Sequence, residues 1–189
     1  MFKTFRINYF KMLVLFAGIF LSSCFEASPD EEMSKKFFDL KEYFLHQAEV
    51  LEKNQISVEK ILINSLDTQR VSIEKINWKE ELAPFINSDL NKPAWRDSYS
   101  IDSAFNNSNI KSIAYKSLDE NLPIKEIQIH FKNKSVEHIF IEGASTNYIY
   151  NSAQVLSFSP ATGYTIEGEQ DIILGKDLHY KVMVNFYKK

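Results

Sequence analysis

The chain is poor in the residues that staple, cradle or catalyse. It has one cysteine in 189 residues, so no disulfide can close within it and no CxxC site exists. Five glycines and five prolines are too few for a collagen-like or Gly/Pro-rich disordered chain, and they leave no glycine-rich loop to hold a phosphate. Four histidines stand at 46, 130, 138 and 179, none at the HxH or HxxxH spacing that turns two imidazoles onto one metal. No G-x-S-x-G elbow is present. No apolar run is long enough to span a bilayer. The run Met12–Leu21 has ten residues, which as helix reach about 15 Å, half a hydrocarbon core. What remains is ordinary for one globular domain: 44% hydrophobic, 14% aromatic and 25% charged residues.

That short apolar run has a clear reading. Lys3, Arg6 and Lys11 precede it, and Leu21-Ser22-Ser23-Cys24 follows it. A basic n-region, a ten-residue h-region and small residues before a single cysteine have the proportions of a signal peptide. They resemble the leader and lipobox of bacterial lipoproteins. The resemblance implies that Cys24 is diacylated, that residues 1–23 are removed, and that Cys24 becomes the N-terminus. It also implies a membrane partner through the lipid. At about 0.8 kcal/mol per buried CH₂, such an anchor holds a domain on a membrane without a spanning helix. A thiol consumed by lipid leaves none for catalysis.

Removal of the leader takes three of the 22 basic residues and none of the 25 acidic ones, leaving 166 residues with a net charge of −6. An acidic domain is a poor partner for nucleic acid or anionic lipid. Phe25 follows the cysteine where enteric lipoproteins carry an inner-membrane retention aspartate. The acidic cluster Asp30-Glu31-Glu32 resembles, loosely, the surface-export signals of Bacteroidota lipoproteins, and also suits a helix N-terminus. The expected location is the bacterial cell envelope, at the outer membrane, facing either the periplasm or the surface.

Residues 24–29 read as a short tether and 30–189 as a single α+β domain. Ser28-Pro29-Asp30-Glu31 has the form of a capping box with proline at N1. It predicts a helix to about Lys53, with Met33, Phe37, Leu40, Phe44, Ala48 and Leu51 on one stripe. The polar face is mixed in sign, so the stripe is expected to pack on a sheet and not to lie on a membrane. Residues 58–62 and 71–75 suggest a hairpin turning near Ser65–Thr68. Asn77 caps a short second helix that Pro84 interrupts and that ends near Asp89. The C-terminal half then alternates as strands: 110–118, 124–131, 136–142, 147–159, 164–174 and 178–187. The turns between them are short, so neighbours should be antiparallel. The fold expected is a meandering antiparallel sheet with one face covered by the N-terminal helix and the short second helix. Alternation leaves open whether the sheet closes into a barrel.

Candidate chemistry is sparse. His130 and His138 lie on adjacent strands. They face each other if the turn adds a third residue and miss each other if it is a two-residue turn. With Glu137 they would make a metal platform; surface imidazoles are the plainer reading, and no metal or cofactor is expected. Glu167 and Glu169 share one face of a strand about 7 Å apart, a spacing that acid–base hydrolysis could use. Charged residues on a wet strand face explain the pair as well. Asp89–Tyr99 combines Trp95, Arg96 and Tyr99 with a rigid Pro93, which reads either as a recognition anchor or as a plug on the sheet. Asp102-Ser103-Ala104 resembles the Bacteroidota O-glycosylation acceptor tripeptide.

The leader, the Trp78–Leu82 helix, the Asp89-Leu90-Asn91-Lys92-Pro93 junction and the strand-rich second half are together similar to small lipoproteins of Bacteroidota. That group brings no activity or site residues to carry over. The expected function is a membrane-anchored, non-enzymatic binding or protein-interaction domain. The rival is a carrier of an apolar ligand or lipid held between helix and curved sheet.

Overall fold

The computed structural model describes residues 35–64, 67–106, 109–172 and 177–188. Within them, helix α1 (Leu40–Lys53) is followed by strands β1 (Ser57–Asn64) and β2 (Thr68–Ile73). Two single-turn helices come next, α2 (Trp78–Glu81) and α3 (Ala83–Ile86), then a 3₁₀ turn at Pro93–Trp95. Seven strands complete the chain: β3 (Tyr99–Asn106), β4 (Asn109–Ser117), β5 (Ile124–Lys132), β6 (Ser135–Thr146), β7 (Tyr150–Ser159), β8 (Gly163–Ile172) and β9 (Leu178–Tyr187).

All nine strands form one antiparallel sheet in the order β2-β1-β9-β8-β7-β6-β5-β4-β3. From β3 to β9 it is a meander. The first hairpin returns to pair β1 with β9, from Ser57 opposite Tyr187 to Asn64 opposite Tyr180. β2 and β3 remain edges, so the sheet is open and not a barrel. The α+β expectation holds, with one face covered by helices.

The register explains which face is covered. Val184, Tyr164, Phe158, Ile139, Ile129 and Ile113 lie side by side across six strands. Val182, Ile166, Leu156, Ile141, Ile127 and Tyr115 form the next row. Onto these rows α1 sets Leu40, Phe44, Ala48 and Leu51, and the short helices add Trp78, Leu82 and Phe85. The interface is filled by rings. Phe44 stands 4.9 Å from both Phe85 and Phe158, and Tyr164 stands 5.5 Å from Phe85. Such ring pairs add to the burial term. On the opposite face the rows are polar, for example Lys181, Glu167, Val155, Glu142, Glu126 and Lys116.

The N-terminal helix starts later than its hydrophobic stripe suggests. The capping box at Ser28 lies outside the described residues, but residues 35–39 are not helical and Asp39 is the N-cap, accepting the Glu42 N–H at 2.9 Å. Two competing bonds hold the preceding backbone away from the helix. Asn91 Oδ1 takes the Phe37 N–H at 3.1 Å, and the Tyr115 hydroxyl takes the Phe38 N–H at 2.9 Å. The second helix breaks where the sequence predicts. Pro84 has no N–H to continue α2, so Leu82 becomes a turn and α3 starts anew; helical structure ends at Ile86 and does not reach Asp89.

Strand β3 is absent from the sequence reading. Its stretch YSIDSAFN carries Asp, Ser and Asn, and its apolar Ile101 and Phe105 are exposed at the sheet edge. The strand predicted to start at Asn147 starts at Tyr150, because Asn147 Oδ1 accepts the N–H groups of Ile149 and Tyr150 and closes a turn.

Tyr43 carries a flaw in the core. Among the described residues its buried hydroxyl has no hydrogen-bond partner, and burial pushes its ionisation well above the ordinary range. Tyr43→Phe should therefore leave stability unchanged or raise it by about 1 kcal/mol. The check is the denaturant midpoint at constant slope; a lower midpoint would mean that the hydroxyl is bonded.

Alkali should unfold the domain for a related reason. Burial raises Tyr43, Tyr115 and Tyr164, and pushes Tyr99 up to about 12 with help from the Asp119 charge. In the unfolded chain these phenols ionise near pH 10. Their contribution is thus complete below about pH 10 and is lost as pH rises toward the folded values. Absorbance at 295 nm should show this group ionising together with loss of the circular dichroism signal. Ionisation of all of them near pH 10 in a folded protein would contradict the burial.

Candidate functional site

The junction from Asp89 to Tyr99 is built to fasten α1. Asp89 is buried and splits its carboxylate, one oxygen accepting the Lys41 N–H at 3.2 Å and the other the Asn91 N–H at 2.8 Å. Asn91 Nδ2 donates to Phe37 O at 3.3 Å. The arrangement supplies acceptors to the first turn of α1, whose N–H groups have no partners within the helix. Trp95 is half-buried against the core, with the Lys92 ammonium 3.8 Å above its ring. Tyr99 is 3% exposed and donates its hydroxyl to Ile124 O at 2.9 Å. Of the three sequence candidates only Arg96 is exposed. Trp95 and Tyr99 therefore sit as a plug at the start of the sheet. Ser103 of the acceptor tripeptide lies on edge strand β3, half-buried.

Glu167 and Glu169 are not held in a dry cleft. Across the strand pair Lys181 Nζ is 2.8 Å from Glu167, and His179 Nδ1 is 3.8 Å from Glu169. The two carboxylates are 60% and 57% exposed. They edge an open recess of about 490 Å³ where β1, β9, β8 and β7 run together, with Ile63, Ala153, Val155, Gln154 and Tyr180. On the opposite face of these strands Tyr180 lies across Gly168 and accepts a hydrogen bond from Gln154 Nε2 at 3.0 Å. A second open hollow lies between the end of α1 and the start of α2, lined by Glu52, Ile56 and Trp78.

His130 and His138 do face each other, with ring centroids 6.4 Å apart. The route there combines both alternatives. The turn has two residues, Asn133 and Lys134, both at positive φ. A bulge then shifts the register between His130 and Phe131, leaving Glu137 unpaired, so that His138 meets His130. His138 is held below the ordinary imidazole range by burial and by the neighbouring His130, against the pull of Glu137, and its Nε2 lies 2.7 Å from Ser157 Oγ. Glu137 sits instead 3.5 Å from Lys132. Among the described residues no group of three or more His, Cys, Asp or Glu side chains gathers at a metal-holding distance.

Three Ser-x-x-Lys tetrads occur, Ser57–Lys60, Ser72–Lys75 and Ser108–Lys111. On a helix that spacing sets a lysine beside a nucleophilic serine. The first lies on β1, where residues three apart point to opposite faces, and its Lys60 is bound to Glu81 at 2.8 Å. Glu81 also accepts the Tyr164 hydroxyl, so this trio ties α2 to the sheet.

Cys24 and its leader lie outside the described residues. Among the described residues no helix is long and apolar enough to cross a membrane. No family model, no curated protein and no solved structure matches this chain.

Proposed function

We propose that this chain is a lipid-anchored domain of the bacterial cell envelope that acts by binding a protein partner and performs no chemistry of its own. The anchor reading is supported by the leader and the lipobox Leu21-Ser22-Ser23-Cys24, whose cysteine is the only thiol in the chain. The observation that carries the binding reading is the filled interface between α1 and the sheet. Phe44, Phe85, Phe158 and Tyr164 occupy the space in which a carrier would need a cavity. The recess of about 490 Å³ lies beyond those rings and is rimmed by the Lys181–Glu167 ion pair and by the polar side chains of His179 and Glu169.

Native mass spectrometry of the protein extracted from its own envelope tests the choice. An apolar adduct beyond the anchor lipid, at one per chain, would favour the carrier. The expected result is no such adduct, together with one reproducible crosslinked protein partner.

A further inference from the structure

Strands alternate in direction, so the loops fall at two ends of the sheet. The β4–β5 and β6–β7 loops share one end with the start of β3. At that end the Ala144 N–H donates to Pro123 O at 2.9 Å, and the β6–β7 hairpin runs on past it by four residues, roughly 14 Å. Its tip is Tyr148, 99% exposed, and Ile149, 68% exposed. Asn147 Oδ1 accepts the N–H groups of Ile149 and Tyr150 at 2.8 and 3.0 Å, which orders the turn beneath these two side chains. Leu118, on the β4–β5 loop, is 68% exposed at the same end.

The chain leading back to Cys24 leaves from this end too. Lys36 Nζ is bound to Asp97 at 2.9 Å, and the Phe37 ring lies 5.9 Å from that of Tyr99, the first residue of β3. Cys24 precedes Lys35 by eleven residues, a contour of at most about 40 Å.

We propose that this end of the sheet, led by Tyr148 and Ile149, docks on the membrane that holds the anchor. The inference rests on the anchoring reading above. An exposed tyrosine beside an aliphatic residue suits the bilayer interface, where the ring sits among headgroups and the aliphatic chain enters below them. Asp119, Asp171 and Asp177 are exposed around the tip, so the surface it fits is zwitterionic and not anionic. Docking fixes the domain's orientation: the β5–β6 and β7–β8 turns point away from the bilayer.

The test uses the full acylated chain in phosphatidylcholine–phosphatidylethanolamine vesicles with brominated acyl chains. Tyr148→Trp places a reporter at the tip, and Ala161→Trp, on the exposed β7–β8 turn, places one at the far end. The unsubstituted protein supplies the background of Trp78 and Trp95. Quenching of the Tyr148→Trp signal by at least twofold, with none for Ala161→Trp, is the expected result. Equal quenching of both reporters, or none at the tip, on a chain whose mass shows acylated Cys24 overturns docking and leaves anchoring intact. A chain with an unmodified Cys24 overturns both. Unchanged melting temperatures show that the reporters have not disturbed the fold.

Discussion

Phe158→Ala should cost about 3–5 kcal/mol and lower the melting temperature by on the order of 10 °C. Phe158 is fully buried at the centre of the interface. Its ring meets Phe44 at 4.9 Å, Phe85 at 5.8 Å, Phe186 at 6.2 Å and Tyr43 at 6.4 Å. These neighbours come from α1, α3 and β9, and each is held by further rings, so collapse into the void is limited. Differential scanning calorimetry of the variant against the parent reads the effect. A shift of only one or two degrees would mean that the interface is loosely packed. That outcome would also weaken the case against a carrier, because a core that absorbs the loss of a phenyl ring could open for a ligand.

Gly163→Ala should be more damaging still, and for a reason that burial does not describe. Gly163 closes the turn Pro160-Ala161-Thr162 into β8 with φ at +133°, a conformation that L side chains rarely adopt. A β-carbon there would lie 1.9 Å from Val184 O, on the neighbouring strand. The backbone strain alone is about 1–3 kcal/mol, and the contact with β9 adds to it, since Val184 cannot move without breaking the β8–β9 pairing. The expected outcome is loss of soluble folded protein. The other glycines set the scale. At Gly168 the added carbon meets the Tyr180 ring at 2.5 Å, and a side chain can swing aside. At Gly143 the nearest atom is Pro123 O at 3.2 Å. Expression and melting should rank Gly143→Ala above Gly168→Ala, and Gly168→Ala above Gly163→Ala. A folded Gly163→Ala protein near parental stability would contradict the described turn.

Much of this architecture can be read from residue order, and each failure has a physical cause. Strands β5, β8 and β9 alternate cleanly because one face is buried and the other wet, and their predicted limits lie within two residues of those found. β3 escapes because an edge strand needs little apolar alternation, and its Asp102, Ser103 and Asn106 read as loop. The start of α1 is misplaced because Phe37 continues the helical stripe. Its true neighbours, Asn91 and Tyr115, lie 54 and 78 residues away in sequence and cannot be seen in a local window. The facing of His130 and His138 turns on a one-residue bulge at Glu137, which two-residue alternation does not encode. The return of β1 to β9 is equally nonlocal.

The site is less legible than the fold. Trp95, Arg96 and Tyr99 stand out as letters, yet Tyr99 and Trp95 pack against the core, Asp89 accepts from the first turn of α1, and Asn91 holds the Phe37 backbone ahead of it. Tyr148 and Ile149 fall inside the strand expected over residues 147–159. Only the turn at Asn147 reveals that they project from it.

We propose that this domain is held in the envelope through Cys24. Intact mass measurement of the protein extracted from its native membrane tests it most directly. The expected result is a chain beginning at Cys24 that carries a thioether-linked diacylglyceryl group, and release of the protein from the membrane by Cys24→Ala. A chain that begins at another residue with a free thiol at Cys24 would contradict it.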